Sequence, residues 1–283
     1  MAKSRMIPVL DGHNDTLLHL GLKKPGSEKT FFSGREGHID LPKAKAGGLA
    51  GGFFAMFVPT PSWKKEVLWR EVGPKGPRVS KGWDVPIARG VSQTRALNAI
   101  MAMMATAFRL EKISRGCFKV VRTHAQLTSA MDRGVMAAIL HMEGVEALKK
   151  NLDALGVLHA AGLRSLGPVW SRSNAFGHGV PFNFPDSPDI GPGLTPAGKE
   201  LIRLCNQLKI LIDLSHMNEK GFWDVAEISR APLVATHSGA HCPLKSDVHA
   251  AARPRPYCQV ASRGSPRGVL RARKAVLLGV VPL

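Results

Sequence analysis

Acidic residues run short in this chain. Twenty-one Asp and Glu stand against 39 Lys and Arg, for a formal net charge of +18, and none of the acids lies beyond Asp247. Such an imbalance raises nucleic acid or an anionic surface as a partner. The excess is spread along the chain, however, and no aromatic signature of RNA binding accompanies it. Specific nucleic-acid binding is therefore not expected, only loose attraction to polyanions. Cysteine is sparse as well. Cys117, Cys205, Cys242 and Cys258 are scattered, with no Cys-x-x-Cys. That excludes a zinc knuckle or disulfide framework and predicts reduced thiols in a cytoplasmic protein. No apolar run approaches the ~20 residues that span a bilayer. The basic residues 1–5 are followed by too short an apolar stretch for a secretory signal, so no membrane anchor is expected.

What is present is enough for a large core. With 283 residues and 44% hydrophobic content, the chain can form one α/β barrel or one large doubly wound domain. Val9-Leu10-Asp11-Gly12-His13-Asn14-Asp15 reads as a buried strand that ends where its side chains turn from core to chemistry. His13 and Asp15 lie two apart, so they point the same way from a strand end. Similar units follow. Residues 47–58 are near-continuously apolar, as parallel strands are. Residues 135–144 end in Glu143, and 164–170 form a less clean strand because of Pro168. Residues 210–216 end in His216, and 232–238 carry His237. Residues 118–121 make a shorter strand. Between the strands, helical spacing covers 87–113, about 124–131, 152–161, 195–208 and 218–228. Thr195-Pro196 opens one of these helices, and Asn218 caps the last. Met101, Met103 and Met104 read as helix core. A short helix is expected at 41–46, a surface insertion at 59–82 and a polar loop at 171–193. Strand and helix alternate without hairpin signals, which argues a parallel sheet with crossover helices. Functional residues at the C-terminal ends of several strands are the habit of the (β/α)8 barrel.

His13, Asp15, Glu143, His216 and His237 form the strand-end set. Three imidazoles and two carboxylates suit zinc, with manganese or cobalt as substitutes. The count suggests two ions: His13 and Asp15 on one, His216 and His237 on the other, and Glu143 bridging. Two metals ~3.5–4 Å apart can share a hydroxide and polarise a carbonyl.

The chain resembles the membrane dipeptidase (renal dipeptidase) family of zinc peptidases, peptidase family M19, in its bacterial cytoplasmic-type branch. The resemblance is carried by residues 11–15 (Asp-Gly-His-Asn-Asp), 141–144 (His-Met-Glu-Gly), 170–179 (Trp-Ser-Arg-Ser-Asn-Ala-Phe-Gly-His-Gly), 211–216 (Leu-Ile-Asp-Leu-Ser-His) and 235–238 (Ala-Thr-His-Ser). It covers about residues 9–241. It implies the same ligand roles for the five residues, with Glu143 both bridging and catalytic. It also implies a distorted TIM-like barrel of the metal-dependent hydrolase type. The implied activity is hydrolysis of dipeptides through a metal-bridging hydroxide, often with a D-residue at the C-terminal position. A metal-binding relative without turnover, or an amidohydrolase acting on other small amides, is the alternative.

Two departures shape the expectations. Glu146 stands about where renal-type members carry a histidine beyond the bridging Glu, and no role is assigned to it. The family's substrate-carboxylate Arg is missing from 241–247, where Lys245 is the stand-in. The resemblance stops near residue 251. From His249 onward there are seven Arg and Lys and no acid, a composition that suggests truncation or an altered reading frame. Residues 1–250 are thus expected to form the barrel domain and 251–283 a basic, atypical tail. Residues 275–281 offer a seventh strand, and nothing offers an eighth. A barrel incomplete at its C-terminal units leaves an open edge, which favours association, a homodimer included.

Overall fold

The structure, a computed structural model, describes residues 7–21, 26–60, 83–85, 90–180, 182–184, 190–241, 259–261 and 276–277. The strands are β1 Val9–Asn14, β2 Leu49–Phe57, β3 Trp83–Val85, β4 Phe118–Val120, β5 Met136–Glu143, β6 Leu163–Gly167, β7 Phe182–Phe184, β8 Leu211–Ile212, β9 Val234–Ala235, β10 Gly239–His241, β11 Gln259–Ala261 and β12 Val276–Leu277. The α-helices are α1 Thr16–Gly21, α2 Thr30–Ser33, α3 Leu41–Gly47, α4 Gln93–Ile113, α5 His124–Asp132, α6 Asp153–Ala161, α7 Pro196–Leu208 and α8 Glu219–Ile228.

The central sheet is parallel throughout, in the order β1-β2-β5-β6-β8, with β4 also paired to β5. Asp213 continues it through a parallel bridge to Val234, and β12 lies parallel to β9. Consecutive parallel strands with helices between them form a curled, partial TIM-like barrel, and their C-terminal ends open on one mouth. Register brings the site together: Phe57 stands opposite Glu143, and Glu143 opposite Gly167. The β1–β2–β5 approach requires glycine. A Cβ at Gly51 would overlap the Ala137 carbonyl oxygen, and one at Gly52 would press on Asp11.

The helices form where caps and apolar faces coincide. Thr195 and Asn218 accept from the N–H of Gly198 and Gly221, at 3.1 and 3.0 Å, as their sequence positions suggest. Asp40 and Thr123 cap α3 and α5 in the same way. On α4, Ala96, Ile100, Met103, Met104, Ala107 and Leu110 are buried at three- and four-residue spacing. Met101 departs from the expected methionine core, because its position on the helix turns it outward, and it is 49% exposed. No described helix is long and apolar enough to cross a membrane.

Some strands are shorter than their apolar runs. β8 and β9 are two residues each; Asp213 and Leu214 still donate to the Leu166 and Val234 carbonyls, and beyond them the Asp213 carboxylate takes the N–H groups of Ser215 and Thr236. β6 ends at Gly167, before Pro168. The segment 171–193, expected to be a loop, contributes β7, which pairs antiparallel with β3, just beyond the insertion expected at 59–82. Lys245, Cys242, Cys258, residues 61–82 of the insertion expected at 59–82 and the boundary at residue 250 lie outside the described residues.

Candidate metal centre

Five side chains chosen from strand ends can be followed to one place. His13, near the end of β1, turns Nε2 to within 3.7 Å of Asp15 Oδ1 and 3.7 Å of Glu143 Oε2. Glu143, the last residue of β5, is buried. Its Oε1 lies 2.7 Å from His216 Nε2 and 3.4 Å from His237 Nε2. His216 takes a left-handed backbone, φ 68°, just past β8, which swings its ring back over the strand ends. The two later imidazoles meet Nε2 to Nε2 at 3.0 Å, and the rings of His13 and His237 lie 4.0 Å apart. One ligand atom each from His13, Glu143 and His237 falls within 4.8 Å of the others. Asp15, its side chain 43% exposed, sits at the outer rim.

These residues fit a metal pair on their own chemistry. The two carboxylate oxygens of Glu143 face different histidines, which is the arrangement a bridging ligand needs. Behind the rings, hydrogen bonds occupy Nδ1 and leave Nε2 to face the cluster. Ser171 Oγ is 3.0 Å from His216 Nδ1, and Thr236 Oγ1 is 2.7 Å from His237 Nδ1. His13 Nδ1 is buried without a hydrogen-bond partner among the described residues.

The electrostatics point the same way. Burial opposes a charge on His13, but Glu143 and Asp15 overrule it and push its pKa up to about 10. Burial would raise Glu143; His13 and the hydrogen bonds from His216 and His237 instead hold it well below the usual carboxylate range. The carboxylates thus draw positive charge into a dry site. A proton on His13 can answer that demand, and so can divalent cations, which leave His13 free to ligate.

Sequence reasoning passed over three elements of the site. Asp213 is fully buried below the cluster, where burial is outweighed by His237, His141 and Thr236, and its pKa falls to about 2. His141 lies two residues before Glu143 on the same face of β5. Burial drives its pKa down to about 4. Arg172, 1% exposed, reaches Glu146 Oε1 (2.6 Å), Thr60 Oγ1 (3.0 Å) and the Val58 carbonyl (2.8 Å), and lies over Phe57 and Trp170. Glu146 is therefore the partner of a buried guanidinium. A signal for Asp213 was available: a carboxylate embedded in the apolar run 210–214.

Comparison with known proteins identifies the family. The sequence profile of the membrane dipeptidase family (peptidase family M19) matches residues 3–247. An uncharacterized protein in the PQQ-III 3' region of Acinetobacter calcoaceticus is 39% identical over 245 residues, covering 85% of this chain and 74% of that protein. A metallopeptidase from Rhodobacter sphaeroides, crystallised with a phosphinate mimic of the dipeptide L-Ala-D-Ala, is 48% identical with a TM-score of 0.77, covering 84% of this chain and 66% of that one. The dipeptidase AC, a metallopeptidase of family M19, is 48% identical with a TM-score of 0.73, covering 84% and 64%. The chain thus spans slightly less than two thirds of the length of these two structures. With a profile match over most of its length, the chain belongs to the membrane dipeptidase family, peptidase family M19.

Proposed function

We propose that this chain is a zinc-dependent dipeptidase that hydrolyses the peptide bond of small dipeptides, with a D-residue accepted at the C-terminal position. The observation that carries the proposal is the convergence of His13, Glu143 and His237 within 4.8 Å, with His216 against Glu143. The D-residue follows the L-Ala-D-Ala mimic held by the Rhodobacter sphaeroides relative. His13 and Asp15 would hold one ion and His216 and His237 the other, with Glu143 between them. Zinc is the expected metal, with manganese or cobalt as substitutes. Bound there, two divalent ions supply Lewis-acid polarisation of the scissile carbonyl and activation of water.

The chain's own groups prepare the site. Glu143 stays ionised, so it presents both oxygens as acceptors. Phe57 and Trp170, with ring centroids 4.8 Å apart, wall the cluster beside His216 and restrict bulk water there. Lys245 is the proposed cation for the dipeptide's free carboxylate.

The test is a metal-reconstituted assay of the purified chain against a panel of L,L and L,D dipeptides, with zinc counted per chain. The expected outcome is about two zinc per chain, hydrolysis abolished by chelation, and a loss of about 100-fold or more in Glu143→Gln. Equal activity in wild type and Glu143→Gln would refute the site assignment. Zinc bound at full stoichiometry without hydrolysis of any dipeptide would mark the chain as a metal-binding relative without turnover.

A further inference from the structure

Beneath the cluster lies a chain of hydrogen bonds that the ligand assignment does not use. Asp213 Oδ1 accepts from Ser215 N (3.0 Å), Ser215 Oγ (2.8 Å) and Thr236 N (2.9 Å). Its Oδ2 accepts from the Thr236 hydroxyl, and it also lies 3.6 Å from His237 Nδ1 and 3.6 Å from His141 Nε2. Thr236 Oγ1 is 2.7 Å from His237 Nδ1. Four donors converge on this one carboxylate, so Asp213 acts only as an acceptor.

The proton count then has one solution. A threonine hydroxyl carries one hydrogen. Thr236 spends it on Asp213, so toward His237 the oxygen can only accept. His237 Nδ1 must carry a hydrogen, so in the neutral ring that can ligate a metal Nε2 keeps its lone pair, on the side of Glu143 and His216. We propose that Asp213 and Thr236 are positioning residues that lock His237 as the Nδ1–H tautomer and so present Nε2 to the metal pair. This inference rests on the metal-site reading above.

The proposal makes opposite demands of two substitutions. In Asp213→Asn the three donors around the Oδ1 position require the amide oxygen there, which puts the NH2 against Thr236. The amide then donates to Thr236, the hydroxyl turns to donate to His237 Nδ1, and the relay runs backwards with the hydrogen on Nε2. Thr236→Val removes the link, whereas Thr236→Ser keeps it.

The test uses the full chain. Zinc affinity is measured by competition with a chromophoric chelator, and the His237 ring nitrogens are observed by long-range 1H–15N NMR. Asp213→Asn and Thr236→Val should weaken zinc binding by about 10–100-fold, and Thr236→Ser should stay within about threefold of wild type. Wild type should show hydrogen on Nδ1 of His237, and Asp213→Asn on Nε2. Unchanged zinc affinity in folded Thr236→Val overturns the relay. So does a wild-type His237 protonated at Nε2, or ligating zinc through Nδ1, a measurement that needs no variant to fold. Wild type that binds no zinc refutes the metal-site reading instead, and the tautomer of His237 still decides the relay.

Discussion

Replacing Arg172 with methionine should cost about 3–5 kcal/mol of folding free energy, the range for removing one partner of a buried ion pair. The guanidinium is enclosed where the ends of β2, β5 and β6 meet, and it donates to Glu146, Thr60 and the Val58 carbonyl. Methionine is flexible enough to fill much of that volume, so the cavity term is small. What remains is the Glu146 carboxylate, buried with one oxygen already lacking a hydrogen-bond partner among the described residues, together with an unanswered hydroxyl and carbonyl. At about 2–4 °C per kcal/mol, the melting temperature should fall by roughly 6–20 °C. Urea unfolding followed by tryptophan fluorescence measures the loss, since Trp170 lies against the guanidinium. The double variant Arg172→Met/Glu146→Leu should recover much of it, with a coupling of about 2–3 kcal/mol. A single-variant loss below about 1 kcal/mol, or losses that simply add, would show that the pair does not hold these strand ends together.

Three further outcomes are expected. Leu201→Ala empties a fully buried position on the inner face of α7 and should cost about 2–5 kcal/mol in the same urea titration. Asp40 accepts from the N–H groups of Lys43 and Arg35 and from Lys43 Nζ; burial opposes these interactions, but they win and bring its pKa down to about 2. Its folded pKa is depressed, so its contribution is complete above the unfolded value near 3.8 and is lost as pH falls through about 2. Asp40→Ala should therefore lose about 0.5–2 kcal/mol at pH 6, with the gap from wild type closing toward pH 2 in acid titrations followed by circular dichroism. Chelation should lower the melting temperature of zinc-loaded protein, because an ion present at 100 times its Kd stabilises the folded state by about 2.7 kcal/mol; an unchanged scanning-calorimetry trace would argue against a zinc site.

Much of the fold was legible because the elements are locally consistent. β2 and β5 are apolar on both faces, as a buried parallel strand must be, and they fall within a residue or two of the expected runs. Thr195-Pro196 and Asn218 marked their helix starts because capping is a local event. The misses have non-local causes. The runs 210–216 and 232–238 have strand composition, yet each forms a strand of only two residues, with Asp213 adding one bridge, and past it the Asp213 carboxylate takes the N–H groups of Ser215 and Thr236. β3 and β7 lie almost a hundred residues apart, and no short-range pattern announces their pairing. Met101 shares its composition with Met103 and Met104 and differs only in which way the helix turns it.

The sequence by itself determined the order of strands and helices and which strand ends carry imidazole and carboxylate, because those properties depend on residues a few positions apart. The tertiary structure alone decided which of these groups meet. Glu143 reaches His13 and His216 through the β5 register and a left-handed turn at His216. Arg172 finds Glu146, and Asp213 and Thr236 stand behind His237, only once parallel strands curl around a shared interior. Ring tautomers and buried ion pairs are properties of neighbours in space, and chain order does not record them.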